Sequence, residues 1–181
     1  MSIVALVVAW VKYREPEYSF ILSKNEIVHK RRQGNWTLSW SNIQRIDIPS
    51  VNRGFASEKL DMIGIKLKDY PTFLSVISPR LMTNILMEQR SLLLHSTDNC
   101  SSGSCYGEDL LEDDYYKTIC GREYKGVQAM FANRMSKLRE RLGYDIYISA
   151  SDLDRSEIDF VNLLKRCQQH VSMHNAYTNQ G

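Results

Sequence analysis

The chain has 181 residues, 23 of them Lys or Arg and 21 Asp or Glu, for a formal charge of +2. Its 43% hydrophobic and 24% charged residues, with Ile, Leu, Val and Phe making up about a quarter of the chain, exclude a disordered composition. The charge balance gives no support to nucleic acid or to any strongly charged partner. A chain of this length buries about 70% of its unfolded surface, so folding needs no metal or disulfide.

Residues 3–11 (IVALVVAWV) form the most apolar window. As helix they would span about 13 Å, under half a hydrocarbon core of about 30 Å. Neither a basic leader nor a small-residue cleavage site accompanies them, which argues against a signal peptide. Trp10, Lys12, Tyr13 and Arg14 follow as an aromatic and basic edge, the composition of a cytoplasmic membrane interface. Two readings stand: the exit end of a transmembrane helix, or a buried strand or opening core helix.

The first half then alternates with period two. Strands are expected at Tyr18–Leu22, at Ile27–Arg32, through Trp36, Leu38 and Trp40, and at Ile43–Ile48, which Pro49 ends. After a Gly-containing loop comes Asp61–Lys68, with Ile63, Ile65 and Leu67 inward and Gly64, Lys66 and Lys68 outward. Short turns between the runs favour an antiparallel sheet.

The pattern becomes helical after Pro71, which opens one or two turns to Ile77. Ser78 and Pro79 stand as N-cap and first helical residue of a stripe reaching about Leu94. Ser96–Gly107 reads as a surface loop and domain boundary. Glu108, Asp109, Glu112, Asp113 and Asp114 suit the start of a short helix. Gly126–Leu142 is an amphipathic helix stopped by Gly143, with Arg134, Lys137, Arg139 and Arg141 on its expected solvated side. Tyr144, Ile146 and Ile148 alternate as one more strand. Ser151 or Asp154 is the expected cap of a last helix carrying Ile158 to Val171, before a polar tail from Asn175.

The fold class is therefore α+β. Its expected parts are an N-terminal apolar segment (1–15), a β-rich domain with closing helix (16–95), a loop (96–107), a helical lobe with one strand (108–172) and a tail (173–181).

The chain carries no phosphate-binding glycine loop, nucleophile elbow or zinc-protease motif. Cys100 and Cys105 bracket a polar loop, and a metal there would need His95 or Cys120 brought from elsewhere. His170 and His174 share a helix face at the C-terminal end without a third ligand nearby in sequence. Asp152 and Asp154 suit a cap better than a cation site. The densest basic run is His29–Arg32. On a strand it splits, His29 and Arg31 to one side and Lys30 and Arg32 to the other. Lys30, Arg31 and Arg32 are the candidate anion-binding residues, with edge-strand protection as the competing reading. Trp36 and Trp40 read as core, not as a base-stacking platform. The expectation is a non-enzymatic protein without cofactor or metal.

The segment Gly34–Ile48 (GNWTLSWSNIQRIDI) resembles the second and third strands of bacterial pleckstrin-homology-like domains. With Ile63–Tyr70, Ile77–Leu81, Glu88-Gln-Arg90, Ala129–Met135, Leu142–Asp145 and Leu153-Asp-Arg155, it resembles an uncharacterised bacterial membrane-protein family, domain of unknown function 2982. The similarity covers about residues 16–170 and carries no assigned chemistry. The resemblance implies an N-terminal anchor in the bacterial inner membrane and a cytoplasmic domain, which favours the first reading of Ile3–Val11. A complete pleckstrin-like barrel has seven strands, and the pattern supplies about five before the helix at 79–94, which takes the place of the closing helix.

Three functions follow as expectations. The first is a non-catalytic, membrane-associated cytoplasmic module that binds a protein partner or lipid surface through its β-half, with Trp10, Lys12, Tyr13 and Arg14 at the interface. The second is a soluble cytoplasmic regulatory or interaction protein. The third is a metal protein or enzyme using Cys100, Cys105 and His95. The sequence names no small-molecule ligand.

Overall fold

The structure, a computed structural model, describes residues 19–53, 56–95 and 112–178. Alternating residues build the first sheet from β1 (Phe20–Leu22), β2 (Glu26–Arg31) and β3 (Gly34–Ser39), each antiparallel to the next. Ile27, Trp36 and Leu38 are buried on its inner face. Trp40 lies in a following 3-10 turn (Trp40–Asn42), buried, its indole N–H donating to the Ser23 carbonyl at 2.9 Å. Both tryptophans are core.

β4 (Ile43–Asp47) ends two residues before Pro49. The next segment is not a simple loop: β5 (Ser50–Arg53) and β6 (Ala56–Lys59) pair antiparallel as a hairpin. β7 (Met62–Leu67) places Ile63, Ile65 and Leu67 in the core, all fully buried. Its other face is covered as well. A methyl added at Gly64 would fall inside the Tyr144 ring, which packs there under the Arg45 guanidinium.

α1 (Tyr70–Leu74) is capped by Asp69, whose carboxylate accepts the Thr72 N–H at 3.0 Å. α2 (Pro79–Glu88) has the expected Ser78 cap, and a break at Gln89 separates it from α3 (Arg90–His95). The expected loop at 96–107 lies outside the described residues. The acidic segment is not helical where it is described. Residues 112–114 lead into a hairpin of β8 (Tyr115–Lys117) and β9 (Glu123–Lys125), whose half-buried Tyr116 and Tyr124 pack against the core. Strands of three residues carry a period-two signal too short to compete with the run of acids.

α4 (Val127–Leu142) ends at Gly143, which takes the left-handed conformation at φ 84°. Its basic residues are not a solvated face. Arg134 is 2% exposed and bonds the buried Glu112 at 2.5 Å, Lys137 reaches the same carboxylate at 3.1 Å, and Arg139 is engaged below. The helix lies between α2 and the β8–β9 hairpin, so it buries more of its girth than one apolar stripe indicates.

β10 (Ile146–Ser149) pairs antiparallel with β7, giving a second sheet of order β10-β7-β4. Residues from both sides of 96–107 thus share one sheet and one core cluster, which joins Ile27 and Trp36 to Phe131, Ile146 and Phe160. A 3-10 turn (Ala150–Asp152) leads to α5 (Glu157–Thr178). Its cap is neither Ser151 nor Asp154 but Ser156, whose hydroxyl accepts the Asp159 N–H at 3.2 Å. The helix also runs through residues 175–178, expected as tail. It packs on β4 and β7, and Gln168 donates to the Ile43 carbonyl at 3.0 Å.

Asp145, 1% exposed, joins these parts. Its carboxylate accepts from the Tyr70 hydroxyl at 2.6 Å, the Leu67 N–H at 2.7 Å and the Arg139 guanidinium at 2.5 and 2.6 Å. Asp145→Asn will cost about 2–4 kcal/mol in urea unfolding, because the half-buried Arg139 loses its counter-charge. Gly64→Ala, against the Tyr144 ring, will cost about 1–3 kcal/mol in the same measurement.

Candidate functional site

A cavity of about 380 Å³ opens where β2, β3, the α2–α3 break and the turn after β10 converge. Its apolar side is a row of rings. Phe20 stacks on His29 at 4.1 Å between centroids, His29 meets Trp36 edge-on at 5.2 Å, Trp36 meets Phe73 at 5.9 Å, and Phe73 meets Phe131 at 6.4 Å. All but Phe20 line the cavity.

The strand period puts His29 and Arg31 on the inner side of β2, beyond Ile27. Arg31 Nη1 donates to Glu88 Oε2 at 2.7 Å, and its Nη2 stands 3.5 Å from Asp152 Oδ2. His29 is 3% exposed, its Nε2 3.8 Å from Asp152, and its Nδ1 has no hydrogen-bond partner among the described residues. Gln89 is also buried and lines the same space. The Ser149 and Ser151 hydroxyls, at the same rim, bond each other at 2.8 Å.

Burial, and then the Arg31 charge, pull the His29 imidazole down to about 3. Burial, reinforced by Glu88 and opposed by Arg31, raises the Asp152 carboxyl above its ordinary range. The imidazole is therefore neutral near pH 7, where it offers one donor and one acceptor. With so low a proton affinity it is a weak general base. The arrangement suits binding: an aromatic wall, a neutral imidazole, and a rim of one guanidinium between two carboxylates.

Of the candidate anion-binding residues, Arg31 is the one in this site, held by Glu88 and near Asp152. Lys30 lies on the opposite side of β2 and is half-buried, and Arg32 is exposed in the turn after it. The structure does not gather the three. Trp10, Lys12, Tyr13 and Arg14, and likewise Cys100 and Cys105, lie outside the described residues. Cys120 and Cys167 are free thiols. His174 bonds Lys24 Nζ at 3.1 Å. Among the described residues no group of three or more His, Cys, Asp or Glu suits a metal ion.

In the sequence His29 stands in a basic run and Asp152 at an expected helix cap, and nothing local signals that they meet. The available signal was a His and an Arg continuing the inward stripe that starts at Ile27, opposite Trp36 in register.

Residues 20–170 match the model of a family described as a protein of unknown function (DUF2982). No curated protein and no solved structure matches the chain.

The acid limb of stability tests the state of His29. The unfolded chain takes up a proton at His29 near pH 6.5, whereas the folded chain withholds it down to about pH 3. The stability contributed by the neutral imidazole is fully present above about pH 6.5 and is lost as pH drops toward about 3. His29→Phe will flatten this limb in urea midpoints measured across that window.

Proposed function

We propose that this chain, which belongs to the DUF2982 family, is a non-catalytic binding module whose ligand site is the cavity between β2, α2 and the turn after β10. The observation that carries the reading is a buried His29 whose Nδ1 lacks a partner, in an aromatic-walled cavity of about 380 Å³. An unpaired buried polar atom costs free energy, and a ligand that pairs it recovers that cost. The volume falls within the range of about 300–1,000 Å³ common for small-molecule sites. The depressed basicity of His29 favours binding over proton transfer.

The full chain titrated with benzylamine, benzyl alcohol and benzoate tests this reading. At least one of the three will shift the backbone amide resonances of Glu88, Gln89 and Asp152. Silence at those amides from all three would end it.

Placement of this module against a membrane is a further part of the proposal. It is supported by the apolar run Ile3–Val11 and by Trp10, Lys12, Tyr13 and Arg14 behind it. No helix among the described residues is long and apolar enough to cross a membrane. The full chain will co-sediment with vesicles containing anionic lipid, more weakly at high salt, and the chain lacking residues 1–14 will not. Equal recovery of both forms with the vesicles would remove residues 1–14 as the attachment.

A further inference from the structure

We infer that the ligand of this cavity is a small organic amine, its ammonium taken by Glu88 and Asp152 and its apolar body lying against Met62, Ile85 and Tyr147. The inference rests on the cavity being a binding site and names the class of ligand it takes.

Charge at the rim comes first. Arg31 is one cation set between two carboxylates, and it bonds only Glu88 at close range, 2.7 Å against 3.5 Å to Asp152. Asp145, which also borders the cavity, is already matched by Arg139 and adds no open charge. His29 is neutral near pH 7. Among the described residues the rim therefore carries one uncompensated negative charge, and the Asp152 carboxylate is the less satisfied of the two. An anionic ligand would meet two carboxylates to reach one guanidinium that is already engaged. An ammonium adds the missing cation and hydrogen-bonds both carboxylates, and charge-assisted bonds of this kind are the stronger sort.

The walls supply the second half. Trp36, 2% exposed, and Phe73, 1% exposed, are held in the core and meet near-perpendicular, at 76°. They form a rigid backing, over which the partly exposed Met62 and Tyr147 give an apolar body its surface, and aromatic faces attract positive charge. His29 Nδ1 and the Gln89 carboxamide remain for a polar substituent on that body.

The three isosteric probes separate the alternatives, because benzylamine, benzyl alcohol and benzoate differ mainly in the charge of one end. With the full chain at low salt, benzylamine will bind at least about tenfold tighter than either, as expected for one charge-assisted contact. Its affinity will fall as salt is added. Glu88→Gln, at a side chain 44% exposed and so safe for folding, will weaken benzylamine about tenfold and leave benzyl alcohol within about twofold. Asp152→Asn will do the same. Glu140→Gln, on the exposed side of α4, will change nothing. If benzoate or benzyl alcohol shifts the Glu88, Gln89 and Asp152 amides at equal or lower concentration than benzylamine, the amine assignment is overturned and the cavity remains a binding site. If benzylamine binds but perturbs other amides, or is unaffected by Glu88→Gln and Asp152→Asn, the assignment is likewise overturned. If no probe reaches those amides, both readings fail together.

Discussion

A buried carboxylate ties the part of the chain before residue 96 to the part after residue 111. Removing an ionised group from water costs several kcal/mol even in a relaxed protein, so Asp145 is tolerated only because every lone pair has a use. Its four donors come from α4, α1 and β7, and Arg139 Nη2 also donates to the Leu67 carbonyl at 2.7 Å. Asp145 immediately precedes β10. The register of β10 on β7, Ile146 opposite Ile65 and Ile148 opposite Ile63, is thereby set at its first residue. A slip of one position would bring Tyr147 to the core and expose isoleucine. Burial first, and then the adjacent carboxylate, hold the Tyr70 phenol far above its ordinary range, so it stays a hydrogen-bond donor across neutral pH.

Asp152 is held quite differently. Seven residues apart, one acid is saturated by four short hydrogen bonds and the other stands 3.5 Å from the Arg31 guanidinium. A carboxylate serving only the fold gains from being saturated, as Asp145 does. One left half-satisfied at the rim of a cavity, beside an imidazole with an orphaned nitrogen, costs stability that packing elsewhere must supply. Functional sites are where such local losses collect. The aromatic row from Phe20 to Phe131 is part of that compensation, since it buries large rings around the polar groups.

Most of the β-half is legible in the sequence because the period-two rule reports which side a residue faces. Ile63, Ile65 and Leu67 are buried as the alternation requires, and Ser78-Pro79 opens its helix by a local rule. Legibility fails where the determinant is distant. Arg134 on a helix face reads as solvated because its partner, Glu112, lies across a stretch with no pattern. The β8–β9 hairpin has three-residue strands, too short for a period to stand out from its acidic flank. Ser156 caps α5 by the same rule that favoured Ser151 and Asp154, and only the path of the chain after β10 selects among them. The site fails in the same way. His29, Glu88 and Asp152 are each visible as residues, yet only the fold brings them to one cavity.

That dependence has a physical corollary. One wall of the cavity comes from the first sheet, one from the α2–α3 break, one from α4 through Phe131, and the rim from the turn after β10. None of these pieces closes the space alone, and the last is held in place by Asp145 through β10. Because β10 occupies an edge of the sheet centred on β7, the turn carrying Asp152 faces Arg31 only when the C-terminal part of the chain is docked on the N-terminal part. A ligand that bridges Asp152 and Glu88 would therefore also bridge the two parts. Its binding energy would add to the same docking that Asp145 secures, so occupancy and global stability are thermodynamically linked through one strand.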